Sequence, residues 1–266
     1  MTTYEQLLAD CIRWAKEAGR IQLELFRSDR LDIEAKFNDS DVVTNADKAS
    51  EKAIISEIRR AYPEHSVLSE EAGCDKRMND WLWVIDPLDG TTNYSSGLPN
   101  FCVSIGVQHK GQTVVGVVYA PYLGEIFTAV RGKGAFLNNR PIRCSMKTDI
   151  HKAVVSTGFP VDKDRTTDCN VDNLVRVLPY VRGMRRLGAA AIDICYVAAG
   201  LLDGYWEMNL HEWDVCAALL IAEARRISSV CRCARAGSSC CVRTCRSRSS
   251  GRRCGPGDSG PCWRGS

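Results

Sequence analysis

Apolar residues recur every three to four positions in several stretches of the chain, which is the spacing of a helix with one buried face. In residues 1–27 this spacing is set by Leu8, Cys11, Ile12, Ala15 and Ala18. Residues 41–65 begin as a short strand and continue as a helix that Pro63 ends. The same spacing predicts three later helices, at residues 170–181, 189–200 and 213–224.

A second group of stretches has the alternating or continuous apolar pattern of β-strands. Strands are predicted at residues 66–71, 81–86, 152–160 and 202–208. Residues 101–142 alternate and are interrupted by turn signals such as Lys-Gly and Asn-Asn, which predicts an antiparallel meander. Because strands and helices follow one another in both orders, the fold class is α/β or α+β, with sheets covered by helices.

The overall composition is that of an ordinary globular protein. The 266 residues are 45% hydrophobic and 25% charged, and this length suits one large domain or two small ones. No apolar run reaches the length of a membrane span, and acidic residues interrupt the N-terminal segment early, unlike in a secretory signal. We therefore expect a cytoplasmic protein without a membrane partner.

Acidic residues stand where several predicted strands end. Glu70 and Glu71 follow one strand, Asp86 and Asp89 follow the apolar run "WLWVI", and Asp214 lies just past the strand at 202–208. Such a cluster repels itself unless a cation sits within it, and Mg²⁺ prefers oxygen ligands while keeping room for a substrate phosphate. The four histidines are scattered without zinc-type spacing, and no P-loop is present. The pattern favours a Mg²⁺ site.

The residues that follow Asp89 suit an anion. If a turn or helix begins at Gly90, its free backbone N–H groups point outward and can bind a phosphate. The hydroxyl of Thr91 could orient an attacking water. Each feature also has a simpler interpretation: Asp89-Gly90 as a hairpin turn, Asp86 and the Glu70-Glu71 pair as solvated acids, and Asp214 as a helix cap. Together the features point to a metal-dependent phosphate site.

Five segments carry a resemblance to a known family: residues 41–47, 69–71, 83–94, 186–207 and 211–224. They resemble the inositol monophosphatase family of Mg²⁺-dependent, lithium-sensitive phosphatases, over about residues 5–224. The resemblance implies an α/β (α+β) fold, a layered αβαβα sandwich of the inositol monophosphatase and fructose-1,6-bisphosphatase type. It also implies a homodimer and two or three Mg²⁺ ions in each site.

The resemblance also assigns roles to individual residues. It implies that the metal ligands are Glu70, Asp86, the Leu88 carbonyl, Asp89 and Asp214. Glu70, Asp47 and Thr91 are implied as catalytic residues, with Asp47 and Thr91 positioning the attacking water. The implied substrate-binding residues are Glu70, Leu88, Asp89, Gly90, Thr91, Gly188, Ala189, Ala190, Glu207 and Asp214.

The substrate that the resemblance implies is a small phosphate ester, with inositol monophosphate favoured because Glu207 matches a residue that contacts a sugar hydroxyl. The alternatives are a broad-specificity sugar phosphatase, a nucleotide phosphatase acting on 3′-phosphoadenosine 5′-phosphate, and relatives acting on fructose 1,6-bisphosphate or histidinol phosphate. A hypothesis of another class is an inactive or unstable product that only binds phosphate. Two metal ions can clamp an in-line displacement by water, so no phosphoenzyme is expected.

The last 41 residues differ from the rest of the chain. Residues 226–266 hold nine arginines against one acidic residue, and seven of the 14 cysteines. Family members continue at this point with two glycines and a β-rich stretch. A metal-binding tail lacks paired C-x-x-C spacing, and a basic nucleic-acid arm has only Trp263 for stacking, so nucleic acid is not the expected partner. We favour a frameshifted reading of the gene.

The domain assignment follows from this break. We predict an inositol-monophosphatase-like domain at residues 1–225, incomplete at its C-terminal end, and a tail at 226–266 that does not fold natively. The tail has few large apolar residues with which to offset the entropy of ordering its backbone. We expect it to be irregular and to leave a sheet edge open.

Overall fold

The computed structural model describes residues 3–36, 42–161, 166, 169–224, 229–232 and 240–243. The helices are α1 (Tyr4–Leu25), α2 (Asn45–Ala61), α3 (Thr91–Ser95), α4 (Val171–Val177), α5 (Ala190–Ala199) and α6 (Glu212–Glu223). The strands are β1 (Ile33–Ala35), β2 (Val42–Thr44), β3 (Ser66–Ser69), β4 (Gly73–Asp75), β5 (Trp81–Asp89), β6 (Cys102–His109), β7 (Gln112–Ala120), β8 (Glu125–Val130), β9 (Gly134–Leu137), β10 (Arg140–Pro141), β11 (Val154–Thr157), β12 (Gly183–Arg185), β13 (Gly204–Glu207), β14 (Ser229–Arg232) and β15 (Cys240–Arg243). Short 3₁₀ turns follow at Ile150–Lys152 and Leu178–Tyr180.

Two large sheets form the frame of the described structure. The first has eight strands in the order β10-β9-β8-β7-β6-β5-β3-β4, antiparallel except for the parallel pair β3 and β5. The second has five strands in the order β12-β11-β13-β15-β14, and β11 runs parallel to both of its neighbours. A small hairpin of β1 and β2 stands apart from both sheets. Strand order therefore departs from chain order in each large sheet.

Helices α1 and α2 cover one face of the eight-stranded sheet. The apolar side of α1, including Leu7, Trp14 and Ala18, is buried against Ile54 and Ile58 of α2 and against the valines of β6 and β7. The N-terminus of α1 is capped by Thr3, whose hydroxyl accepts a hydrogen bond from the Gln6 amide. These helices bury a single stripe because their other side faces solvent.

Helices α5 and α6 lie between the two sheets, so they are apolar on nearly every side. Two glycines allow α6 to lie directly on β6 and β7. A Cβ at Gly106 would stand 2.5 Å from Cys216 Sγ, and one at Gly116 would stand 2.6 Å from the Ala217 carbonyl oxygen. The close packing of α6 on the sheet therefore requires glycine at these two positions in the strands.

Helix α4 covers the outer face of the five-stranded sheet, where Val177 packs with Ala153, Val155 and Trp206. The layers thus run helix, sheet, helix, sheet, helix, which confirms the predicted αβαβα sandwich. No helix in the described ranges is long and apolar enough to span a bilayer.

The predicted long helices and strands are present, with ends shifted by a few residues. The stretch predicted as one helix at 170–181 is divided, because Leu178-Pro179 tightens its last turn into a 3₁₀ turn. The short strands β1, β4 and β12 were missed, since three residues with exposed or half-buried side chains carry too little periodicity.

Two segments of the tail, for which an irregular structure was predicted, are strands. Strand β15 pairs antiparallel with β13, and β14 pairs antiparallel with β15, so eight residues of the tail extend the five-stranded sheet. The reason is that β13 offers a free row of backbone donors and acceptors, and ladder pairing does not depend on the identity of the side chains. The other tail residues of that prediction lie outside the described residues.

Candidate active site

The end of β5 carries the centre of the candidate site. A register shift between Asp86 and Asp89 interrupts the pairing with β6 at Pro87. Asp86 is almost fully buried, and its Oδ1 accepts the Leu88 amide at 3.0 Å. This backbone bulge places two acids and a carbonyl group within four residues of one strand end.

Asp89 is held by the N-terminus of α5. Its two carboxylate oxygens accept the amides of Ala190 at 3.2 Å and Ala191 at 2.7 Å. The Cys102 thiol from β6 donates to Asp89 Oδ2 at 3.6 Å. A negative charge is favoured at this place by the unpaired N–H groups and the dipole of the helix. The 101 residues between Asp89 and Ala190 explain why no local pattern indicated this contact.

Gly90 immediately precedes α3 and has a left-handed backbone conformation, with φ +91°. A Cβ at Gly90 would stand only 3.0 Å from the Asn100 carbonyl oxygen. The next residue, Thr91, has its hydroxyl 3.0 Å from both Asp47 Oδ1 and the Leu88 carbonyl oxygen. The structure thus brings together Asp47 and Thr91, which the resemblance pairs, although they lie 44 residues apart.

Asp47 is fully buried in the first turn of α2. Its Oδ2 accepts the Thr44 amide at 2.9 Å and the Thr44 hydroxyl at 2.6 Å, and Thr44 Oγ1 accepts the Asp47 amide at 3.4 Å, which completes a capping box. Burial raises the pKa of Asp47 to about 6, against the lowering effect of hydrogen bonds from Thr44 and Thr91. The same carboxylate therefore both begins a helix and faces Thr91.

Glu70 and Glu71, at the end of β3, both form ion pairs with the side chain of Lys36. Lys36 Nζ lies 2.9 Å from Glu70 Oε1 and also pairs with Glu71. Both acids are partly buried, so the simpler interpretation as a fully solvated pair does not fit. Lys36 itself was missed, because a single Lys outside any motif gives no sequence signal.

Asp214 lies in the first turn of α6, where its Oδ2 accepts the His211 amide at 2.6 Å. Asp214 is therefore not the N-cap of α6, which is His211; it is the third residue of the helix and closes the capping box from there. The same carboxylate also contributes to the candidate site, because its pKa is raised by burial and by the negative charge of Asp89.

Asp86, Asp89 and Asp214 all have raised pKa values, because each is buried and lies near other negative charges. Burial comes first for Asp86, followed by the charges of Glu70, Asp89, Asp214 and Asp47, and together they hold its pKa well above the usual range. Burial raises the pKa of Asp89 to about 7 in spite of its helix amides. Buried carboxylates that repel each other are the donor set expected of a hard divalent cation, so these residues fit Mg²⁺.

The carboxylates do not form a ready-made cage. In the part of the chain that the structure describes, no three His, Cys, Asp or Glu side chains converge closely enough to ligate one ion. Three hydrogen-bond partners account for this, since Glu70 turns to Lys36, Asp89 to the α5 amides and Asp214 to the His211 amide. The predicted ligands thus lie around one region of the structure but do not converge on a single ion position.

Gly188, Ala189, Ala190 and Glu207 lie on the α5 side of the site. Gly188 has φ +84°, and a Cβ there would collide with the Arg186 guanidinium and the Asn93 amide. Asn93, to which the sequence motif assigned no role, donates to the carbonyl oxygens of Leu187 and Asn100 at 2.7 Å each. Asn93 thereby ties the loop before α5 to the segment after Gly90.

Glu207 ends β13 beside this loop. Its carboxylate accepts the Tyr205 hydroxyl, and burial raises its pKa to about 7. A Cβ at Gly158 would overlap all three carboxylate atoms of Glu207, so the carboxylate lies directly on the Gly158 backbone. Gly158 stands outside the five segments of the resemblance, and Tyr205 lies within the segment 186–207 but was not assigned a role there.

The fold and the site define a class of protein: a layered α/β protein with an acidic site where β3, β5 and the first turns of α2, α5 and α6 meet. The sequence profile of the Inositol monophosphatase family matches residues 3–225. The chain belongs to the inositol monophosphatase family.

Individual relatives agree with this assignment. The Nus factor SuhB of Pasteurella multocida is 45% identical over 221 residues, covering 82% of each chain. The inositol monophosphatase of Anabaena is 35% identical, with a TM-score of 0.80 over 91% of this chain and 92% of that one. The extragenic suppressor protein suhB of Bartonella henselae is 36% identical, with a TM-score of 0.77 over 82% of this chain and 84% of that one.

Proposed function

We propose that this protein is a Mg²⁺-dependent phosphomonoesterase that hydrolyses inositol monophosphate or a similar sugar or polyol phosphate. The observation that carries the proposal is the group of buried carboxylates around Asp86, whose pKa is raised by burial and by the neighbouring charges of Glu70, Asp89, Asp214 and Asp47. Membership of the inositol monophosphatase family supports the phosphatase class. The small-molecule phosphate ester is the substrate partner.

The metal would be held by oxygen ligands at the strand ends. Glu70, Asp86 and the Leu88 carbonyl would hold one Mg²⁺, and Asp86, Asp89 and Asp214 a second, while Glu70 would help to hold a third through waters. When bound, such ions supply positive charge that activates water and neutralises the leaving oxygen. Asp86 is shared by two of these sets, so its loss should cost the most.

The chain's own residues would do the positioning. The Asp47 carboxylate and the Thr91 hydroxyl, 3.0 Å apart, would orient the attacking water. The amides of Gly90 and Thr91 would receive the phosphate, since backbone N–H groups at the start of a helix favour anions. Glu207 would contact the alcohol side together with Asp89, Gly188, Ala189 and Ala190. The protein thus contributes mainly position and charge.

The test is phosphate release from an inositol monophosphate by the purified full chain. We expect activity with Mg²⁺ and none in excess chelator. The variant Asp86→Asn should lose at least about a hundred-fold, the order of magnitude of losing a group that acts on developing charge. Asp172→Asn, which changes an exposed acid in α4, is the matched control. Full activity in chelator, or an unimpaired Asp86→Asn, would refute the proposal.

Two alternatives remain within the same experiment. A broad-specificity or nucleotide phosphatase would prefer another phosphate ester, such as 3′-phosphoadenosine 5′-phosphate. An inactive product would bind inorganic phosphate without turnover.

A second candidate function is suggested by the relatives named Nus factor SuhB, a name that belongs to the transcription machinery. Co-purification of the chain with transcription complexes in a Mg²⁺-independent manner would favour that role.

The remaining expectations are proposals too. We propose a cytoplasmic location and a homodimer. Analytical ultracentrifugation tests the homodimer. We also propose that residues 1–225 form the phosphatase domain and that 226–266 arise from a frameshift. Resequencing the gene around codon 225 tests this directly. Replacement of residues 225–266 by an in-frame family-like ending should raise solubility and activity together, and no gain in either would contradict it.

A further inference from the structure

Asn170 has an unusual position for a residue at the start of a helix. It precedes α4 with φ +71°, a left-handed conformation that a residue with a Cβ adopts only when its surroundings hold it there. It is also buried, with 3% exposure. An Asn at this place usually caps its helix, but the Asn170 side chain makes no capping bond to α4.

The side chain of Asn170 instead joins two strands. Its Nδ2 donates to Thr157 Oγ1 at 2.9 Å and to the Gly158 carbonyl oxygen at 2.6 Å. Its Oδ1 accepts the Trp206 indole N–H at 2.8 Å and the side-chain Nδ2 of Asn173 at 3.1 Å. An Asn amide offers two donors and two acceptor sites, so all of its capacity is used.

A fifth bond completes the network, since the Thr157 hydroxyl donates to the Trp206 carbonyl oxygen at 2.7 Å. The network therefore ties the end of β11 and the Gly158 that follows it to Trp206 in β13. Its members are buried, and buried networks with every group satisfied rigidify the place where they lie.

Glu207 is the next residue after Trp206, and its carboxylate rests on Gly158. Neighbouring side chains of a strand point to opposite faces, so Trp206 meets Asn170 behind the sheet while Tyr205 and Glu207 lie on the other face. Asn170 thus fixes the two features that orient Glu207. One is the β13 backbone next to Glu207, and the other is the Gly158 backbone on which the Glu207 carboxylate lies.

We propose that Asn170 is a positioning residue that sets the specificity of the site for the alcohol part of the substrate by holding Gly158 and Trp206, and through them Glu207. The proposal rests on the proposed phosphatase function for its kinetic consequence. It assigns Asn170 no contact with the substrate, the metal or the reacting atoms. Its effect is therefore on recognition of the alcohol.

The experiment compares two substrates, an inositol monophosphate and a simple aryl phosphate that has no polyol. Asn170→Asp keeps the shape but sets a carboxylate oxygen against the Gly158 carbonyl, and Asn170→Gly keeps the left-handed backbone without the amide. Both should raise KM for the inositol phosphate about ten-fold while the aryl phosphate changes by less than about two-fold. The control Asn139→Gly replaces an exposed Asn with φ +64° in the β9–β10 turn and should change neither.

A double-mutant cycle separates positioning from general damage. If Asn170 acts through Glu207, the Asn170→Gly change should add little in a protein that already carries Glu207→Ala. Equal losses on both substrates, or fully additive effects, would overturn the proposal.

A structural measurement keeps the two proposals distinguishable. If the unaltered chain hydrolyses neither ester, the proposed function fails, and crystal structures of the Asn170→Asp and unaltered proteins then decide. A Glu207 carboxylate displaced from Gly158 in the variant supports the positioning role, and an unmoved carboxylate refutes it.

Discussion

Mg²⁺ should stabilise this protein against unfolding more strongly at about pH 8 than at about pH 5. Asp89 has a pKa of about 7 in the folded protein, raised from the ordinary 3.8 by burial. A carboxyl group with a raised pKa favours the folded state while it is protonated. The stability that it contributes is therefore fully present below about pH 4 and is lost as the pH rises to about 7.

The magnitude follows from the size of the shift. The difference between 3.8 and about 7 is roughly three pKa units, and each unit corresponds to about 1.4 kcal/mol, so ionising Asp89 costs about 4 kcal/mol of folding free energy. Asp47, with a pKa of about 6, contributes in the same direction. Mg²⁺ binds the ionised carboxylates and has to displace protons at the lower pH, so it offsets this cost mainly above pH 7.

The assay is urea unfolding of the full chain at a series of pH values, with Mg²⁺ or with chelator at matched ionic strength. In chelator the free energy of unfolding should fall between about pH 4 and about pH 7, and Mg²⁺ should remove most of the fall. A flat or rising free energy of unfolding in chelator, or an equal effect of Mg²⁺ at both pH values, would refute the electrostatic reasoning.

Three further predictions concern the alcohol side, the cation site and the packing. Glu207→Ala should raise KM for an inositol phosphate more than for an aryl phosphate, and equal changes in a steady-state assay would contradict its proposed role. Lithium should inhibit uncompetitively, as the family resemblance implies, and unchanged turnover at saturating substrate would exclude this. Gly106→Val should lower the free energy of unfolding in urea by about 3 kcal/mol, because a Cβ at this position would stand 2.5 Å from Cys216 Sγ. An unaltered unfolding midpoint would show that α6 does not need this close approach.

Local patterns in the sequence determined the long elements and the acidic motifs. The three-to-four spacing located α1, α2, α5 and α6, because a helix must place its apolar residues on the side that is buried. The run "WLWVI" before Asp86 predicted a buried strand that ends in acids, and β5 is that strand. These features depend on neighbours within a few residues, so the chain alone carries them.

Strand order and short elements were beyond the sequence. The placement of β3 beside β5, and of β13 between β11 and β15, joins segments that are distant along the chain. The two tail strands illustrate the limit: their sequences carry no β pattern, and their backbones pair in a ladder in which β15 lies on the edge of β13 and β14 on β15.

The site divides in the same way. The sequence by itself named Asp86, Asp89 and Gly90, because they stand together in one motif. Only the tertiary structure decided that Thr91 faces Asp47, that Lys36 pairs with Glu70 and that Asn170 holds Trp206, since each pair is separated by 34 to 44 residues. Hydrogen bonds and ion pairs act over a few ångströms, and periodicity reports which face of an element is buried but not which distant residue it meets there.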